Sequence, residues 1–146
     1  TSTMKATKYH LISKIQWGDS DMRVGKSKKA NATCIRRSEA SLNHAIRKIK
    51  ESGIAPYVSG LYLYGSCARK EQDFNSDVDL LLELSPDFNT KRYRDVVILL
   101  KGSVSPSALE LPDVDLKVVI GDSWKSNNML YYKNIKMEGI NVWEIH

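Results

Sequence analysis

From Ser38 onward the apolar residues switch between helical and strand spacing several times, and this alternation limits the chain to a layer of helices packed on a small sheet. Behind Ser38, a residue type that caps helices, Leu42, Ala45, Ile46 and Ile49 recur at helical spacing until Gly53 and Pro56 end the pattern. Tyr57 to Tyr64 is rich in tyrosine, valine and leucine and stops at Gly65, as a strand does. Ser66 to Ser76 has room for a turn and about two helical turns. A second strand is predicted over Val78 to Leu84. Pro86 and Asn89 break it, and Tyr93, Val96, Val97 and Leu100 outline a helix that Gly102 closes. After a loop over Ser103 to Pro112, Asp113 to Ile120 predicts a third strand, Ser126 to Ile135 a short helix, and Ile140 to Ile145 a last strand beyond Gly139. The fold class expected is α/β or α+β, with a small mixed sheet flanked by helices.

At 146 residues the chain has the size of one domain, and its 42% hydrophobic content can build one core. Residues 38–146 are the expected core. Residues 1–37 show no clear period, although Tyr9 to Trp17 has weak strand character. No apolar run approaches the roughly 18 residues of a membrane span, and no leader-like stretch precedes Met4, so a soluble, cytoplasmic protein without membrane contact is expected. Cys34 and Cys67 lack metal-ligand spacing, and His10, His44 and His146 are scattered, so neither a zinc site nor a disulfide framework is predicted. Gly25-Lys26-Ser27 has the ending of a P-loop, but Ser20 stands where the first glycine is required.

The net charge of +5 is uneven: residues 1–58 hold 12 basic and 4 acidic side chains, residues 59–146 hold 10 and 13. Lys26, Lys28, Lys29, Arg36 and Arg37 could therefore meet nucleic acid, although a solvated basic surface explains them as well. Trp17, Trp124 and Trp143 are expected to pack. Tyr62 and Tyr64 could also stack a base.

The acidic segment carries the chemistry. Asp77 and Asp79 are two residues apart at a strand, so their side chains share a face with α-carbons about 6.5 Å apart. If the strand carrying Asp115 is a neighbour, three carboxylates converge, and mutual repulsion then raises a pKa or is relieved by cations. Hard oxygen donors suit Mg²⁺, which takes further ligands from phosphates, and two such ions can clamp the oxygens of an in-line displacement. Gly65-Ser66 after a strand offers backbone N–H groups and a hydroxyl to a phosphate, with Arg69 and Lys70 one turn on as neutralising charges.

Gly65-Ser66, ten residues, Asp77-Val78-Asp79-Leu80 and then Val114-Asp115-Leu116 together resemble the minimal nucleotidyltransferases of the DNA polymerase β-like superfamily. Asn134-Ile135 followed by Gly139-Ile140 is similar to the end of such domains. The resemblance implies nucleotide contacts at Gly65, Ser66, Arg69, Lys70 and Ser76. It also implies two Mg²⁺ ions at Asp77, Asp79 and Asp115, with Asp115 helping to deprotonate the acceptor, and ATP or another nucleoside triphosphate as substrate. Where members often read Gly-Ser-Arg-Ala-Arg-Gly, this chain has Gly65-Ser66-Cys67-Ala68-Arg69-Lys70. Stand-alone members resemble antitoxins that adenylylate a hydroxyl, such as a tyrosine, of a helical HEPN-type toxin. An inactive domain that occludes its partner, and transfer to a nucleic-acid 3′ end, are the competing expectations.

Overall fold

A computed structural model describes residues 29–143. Helix α1 (Ala32–Glu51) is followed by a 3₁₀ turn (Ala55–Tyr57), strand β1 (Val58–Tyr64), the single-turn helix α2 (Ser66–Arg69) and strand β2 (Val78–Leu84). Helix α3 (Arg94–Ser103) then leads to β3 (Val114–Ile120), a 3₁₀ turn (Ser123–Ser126), α4 (Leu130–Glu138) and the short β4 (Ile140–Asn141). The sheet order is β3-β2-β1-β4, with β1 antiparallel to β2 and β4, and β2 parallel to β3. The expected mixed sheet flanked by helices is present. Parallel strands cannot be joined by a tight turn, so α3 supplies the crossover between β2 and β3.

Each sheet face buries its own cluster. Leu61, Leu63, Leu80, Leu82 and Leu116 face Leu42, Ala45, Ile46 and Ile49 of α1 and Leu100 of α3. The opposite face packs Tyr64 and Leu81 against Trp124 and Ile135, with Tyr62 at the margin. Central strand β2 is therefore buried on both faces except at Asp79, which is half-buried. Trp124 packs as expected, its ring 5.3 Å from that of Tyr62 and its Nε1 donating to the buried Glu83 carboxylate at 2.7 Å. Cys34 and Cys67 are both buried free thiols.

Several boundaries differ from the expectation, and the helix expected over Ser126 to Ile135 runs over Leu130–Glu138 behind a separate 3₁₀ turn. Asn31, not Ser38, caps α1, accepting from the Cys34 N–H at 2.8 Å, so the core begins before residue 38. Cys34, Ser38 and Ser41 continue the buried stripe, but as small, weakly apolar side chains they are invisible to a hydrophobic pattern. The Ser38 hydroxyl lies inside the helix, donating to the Cys34 carbonyl and accepting from Gln72 Nε2 at 2.8 Å. The last strand keeps only two residues, because Asn141 Oδ1 turns back to take the Trp143 N–H, and Ile145 lies outside the described residues with Trp17, His10, His146 and the 9–17 segment. Among the described residues no helix is long and apolar enough to cross a membrane.

This placement separates two conservative-looking substitutions. Asn31→Ala should lower the unfolding free energy by about 1 kcal/mol through loss of the cap. Ser38→Ala should cost about 1–3 kcal/mol, because it strands the buried Gln72 amide. Urea denaturation of both variants checks the assignment.

Candidate active site

The parallel register fixes the geometry of the site. Asp79 on β2 lies opposite Tyr64 on β1 and opposite Asp115 on β3, so one row across the sheet reads Tyr64, Asp79, Asp115. Asp77 immediately precedes β2, two residues from Asp79. The carboxylates of Asp77 and Asp115 are exposed while that of Asp79 is half-buried. Burial raises the Asp79 pKa to about 6, reinforced by the charges of Asp115 and then Asp77 and opposed by Lys117 and Arg69. The three aspartates thus sense one another. Lys117, two residues beyond Asp115 on the same face, is a site residue that sequence spacing could have revealed.

Beside Asp79 the chain turns sharply out of β1. Gly65 has φ +77°, and a Cβ there would fall on the Asp79 carboxylate, so only glycine allows the strand to end against this carboxylate. The single turn of α2 follows and closes with Lys70 in the left-handed region at φ 59°. Cys67 points inward, and its thiol donates to the Asp77 carbonyl at 3.6 Å, tying α2 to the start of β2. Burial pushes that thiol up to about 11, so it stays protonated as a donor.

Glu138, at the last turn of α4, completes the loop. Its Oε2 accepts the Gly65 N–H at 2.7 Å and Arg69 Nη1 at 2.9 Å, while Arg69 Nε donates to Glu71 at 2.9 Å. Sequence reasoning missed Glu138 because its partners are 69 and 73 residues away and no local pattern marks it.

The sequence model of the nucleotidyltransferase domain family matches residues 45–144, which span this loop, all three aspartates and Glu138. The chain belongs to the nucleotidyltransferase domain family. Among solved structures it is similar to a Sulfolobus solfataricus protein whose own assignment as a nucleotidyltransferase is provisional, with 20% identity, a TM-score of 0.49, and coverage of 82% of this chain and 90% of that one. A comparison with curated proteins finds no match.

In this nucleotidyltransferase domain, Lys70 does not serve as the expected phosphate neutraliser. Its left-handed backbone turns the side chain inward, where it is 1% exposed beside Glu39 and burial lowers its pKa. Arg69 remains at the surface of the site. Ser76 is occupied by its own turn, its hydroxyl bonded to the Asp73 N–H and carboxylate at 3.0 and 3.1 Å. Tyr62 and Tyr64 serve as packing groups: Tyr64 is 8% exposed and its hydroxyl meets that of Tyr131 at 2.6 Å. Arg37 is held by the Glu110 carbonyl and the Phe74 ring, and Lys26 and Lys28 lie outside the described residues.

Among the described residues no group of three or more His, Cys, Asp or Glu side chains is placed to hold a metal ion. Mg²⁺ does not require one, since it is commonly held by one or two carboxylates with substrate phosphates and water. A row of like-charged oxygens, one with a raised pKa, is a donor set that fits a hard cation.

Linkage gives a test. The Asp79 pKa rises from 3.8 to about 6 on folding, so protonation favours the fold and stability is lost as pH rises through that interval. Asp79→Asn should therefore raise the melting temperature of the metal-free protein at neutral pH, with the gain shrinking as pH falls through about 6. Thermal melts in chelator across pH measure it.

Proposed function

We propose that this domain moves a nucleoside monophosphate, AMP from ATP, onto a hydroxyl of a partner protein, with Asp77, Asp79 and Asp115 as the catalytic carboxylates. The observation that carries the reading is the in-register Asp79–Asp115 pair set against the glycine turn at Gly65. Mg²⁺ bound by these carboxylates would neutralise the triphosphate and polarise its oxygens. Gly65 and Ser66 would receive the phosphates where the chain leaves β1, with the triphosphate displacing the Glu138 carboxylate that now holds the Gly65 N–H and Arg69.

The acceptor oxygen forms a bond to the α-phosphorus as the bond to pyrophosphate breaks, and the hydroxyl proton passes to Asp115. Asp115 suits that role because it is exposed on edge strand β3, open to an incoming group. Positioning and charge stabilisation would supply most of the acceleration. A helical HEPN-type toxin as the partner is supported by the likeness of the Gly65-Ser66 and Asp77-x-Asp79 pattern to stand-alone minimal nucleotidyltransferases.

Coexpression with the adjacent gene product, followed by intact-mass analysis, should show one added nucleoside monophosphate on that product. Asp115→Asn should reduce the modification rate by about two orders of magnitude or more. An unmodified partner in the presence of wild-type protein and ATP contradicts the protein-acceptor reading.

A further inference from the structure

The two donors with which the glycine loop would hold a phosphate are both engaged by one side chain of the protein. Glu138 Oε2 accepts the Gly65 N–H at 2.7 Å and Arg69 Nη1 at 2.9 Å, so a single carboxylate oxygen bridges backbone and guanidinium. Arg69 Nε donates to Glu71 Oε1 at 2.9 Å, so two carboxylates share one guanidinium. We propose that Glu138 is an intramolecular competitor for the phosphate position, an autoinhibitory latch that holds the Gly65 loop and sets triphosphate affinity by having to leave. This inference rests on the nucleotidyltransferase reading of the Gly65 loop and the three aspartates.

An anionic oxygen that takes one backbone N–H and one guanidinium N–H makes the contacts a phosphate oxygen would make, at charge-assisted distances. Gly65 has a single backbone hydrogen to donate, so carboxylate and phosphate compete for it. The helix itself gives Glu138 no reason to stand there. A carboxylate in the last turn of α4 faces the negative end of the macrodipole, so its partners in the loop hold it, against the preference of its own element.

The backbone beneath the latch is pinned on both sides. Ile135 is buried with Tyr64, Leu81 and Trp124, and Lys136 Nζ donates to the Lys125 carbonyl at 2.6 Å. The Gly139 N–H returns to the Ile135 carbonyl at 2.7 Å, and Ile140 pairs with Leu63 of β1. Release is therefore a rotation of the Glu138 side chain, which is 23% exposed and has water to turn into, with α4 left in place. Rotation frees the Gly65 N–H and leaves Arg69 paired with Glu71 alone, so its Nη1 can turn to the incoming phosphate.

The test is calorimetric titration of the full chain with ATP and Mg²⁺, comparing wild type with Glu138→Gln and Glu71→Gln. Glu138→Gln keeps the length of the side chain but removes its charge, and should bind about tenfold tighter or more. Glu71→Gln removes the same charge from the same guanidinium without freeing the Gly65 N–H, and should tighten binding less. If Glu138 instead orients Arg69 for the phosphate, Glu138→Gln binds more weakly. Weaker or unchanged binding in Glu138→Gln, or equal gains in the two variants, overturns the latch alone. In wild type, independent of how either variant folds, the Gly65 amide and Glu138 side-chain carboxyl resonances should shift together as nucleotide saturates. A Glu138 carboxyl that stays unmoved at saturation overturns the latch. Absence of nucleotide binding in wild type and in both folded variants overturns the proposed function and the latch with it.

Discussion

Everything at the working end of this domain depends on one electrostatic conflict that the sheet enforces. Parallel pairing of β2 with β3 puts Asp79 and Asp115 in register, and the buried surroundings of β2 deprive Asp79 of water. Like charges in a partly desolvated row are unfavourable, which is why the Asp79 pKa rises to about 6. The surrounding hydrophobic layers hold the row together against that repulsion. A core of fully buried leucines on β1 and β2, packed on α1, supplies the opposing stabilisation and makes the strands rigid. On the proposed function, a cation bound together with a polyphosphate would supply the missing counter-charge.

The same row explains the backbone beside it. Gly65 is needed because the Asp79 carboxylate occupies the space of a side chain, and the resulting turn aims the Gly65 N–H at Glu138. Glu138 links the end of α4 to both Gly65 and Arg69, so the last helix of the fold helps to shape the first loop of the site. Cys67 and Lys70, the two departures from the Gly-Ser-Arg-Ala-Arg-Gly pattern, are both turned into the protein. Cys67 bonds to the chain at Asp77, and Lys70 caps α2 in a left-handed conformation with its charge beside Glu39. Both replacements therefore act on the scaffold, leaving Arg69 as the exposed cation of the motif.

Most of the fold was legible because its strands and helices follow strong periods. β1, β2 and β3 match their apolar runs, and α3 starts at Arg94 beside the expected Tyr93. The alignment of Asp79 with Asp115 needed only the pairing of strands to be supplied, whereas no three acidic side chains among the described residues come together as a metal-binding group. The start of α1 was hidden because Cys34, Ser38 and Ser41 are buried without being strongly apolar. Lys70 misled because a lysine next to a phosphate loop reads as a surface cation, and nothing local reports a left-handed residue that turns inward. Glu138 was hidden because its role is created entirely by tertiary contact.

The central claim is that the aspartate row and the Gly65 loop form one site for a metal-bound triphosphate. Calorimetric titration of wild-type protein and the Asp77→Asn, Asp79→Asn double variant with ATP, with Mg²⁺ and with chelator, tests it most directly. The account predicts saturable binding that requires Mg²⁺ and disappears in the folded double variant. Binding of equal strength in the variant, or in chelator, would contradict it.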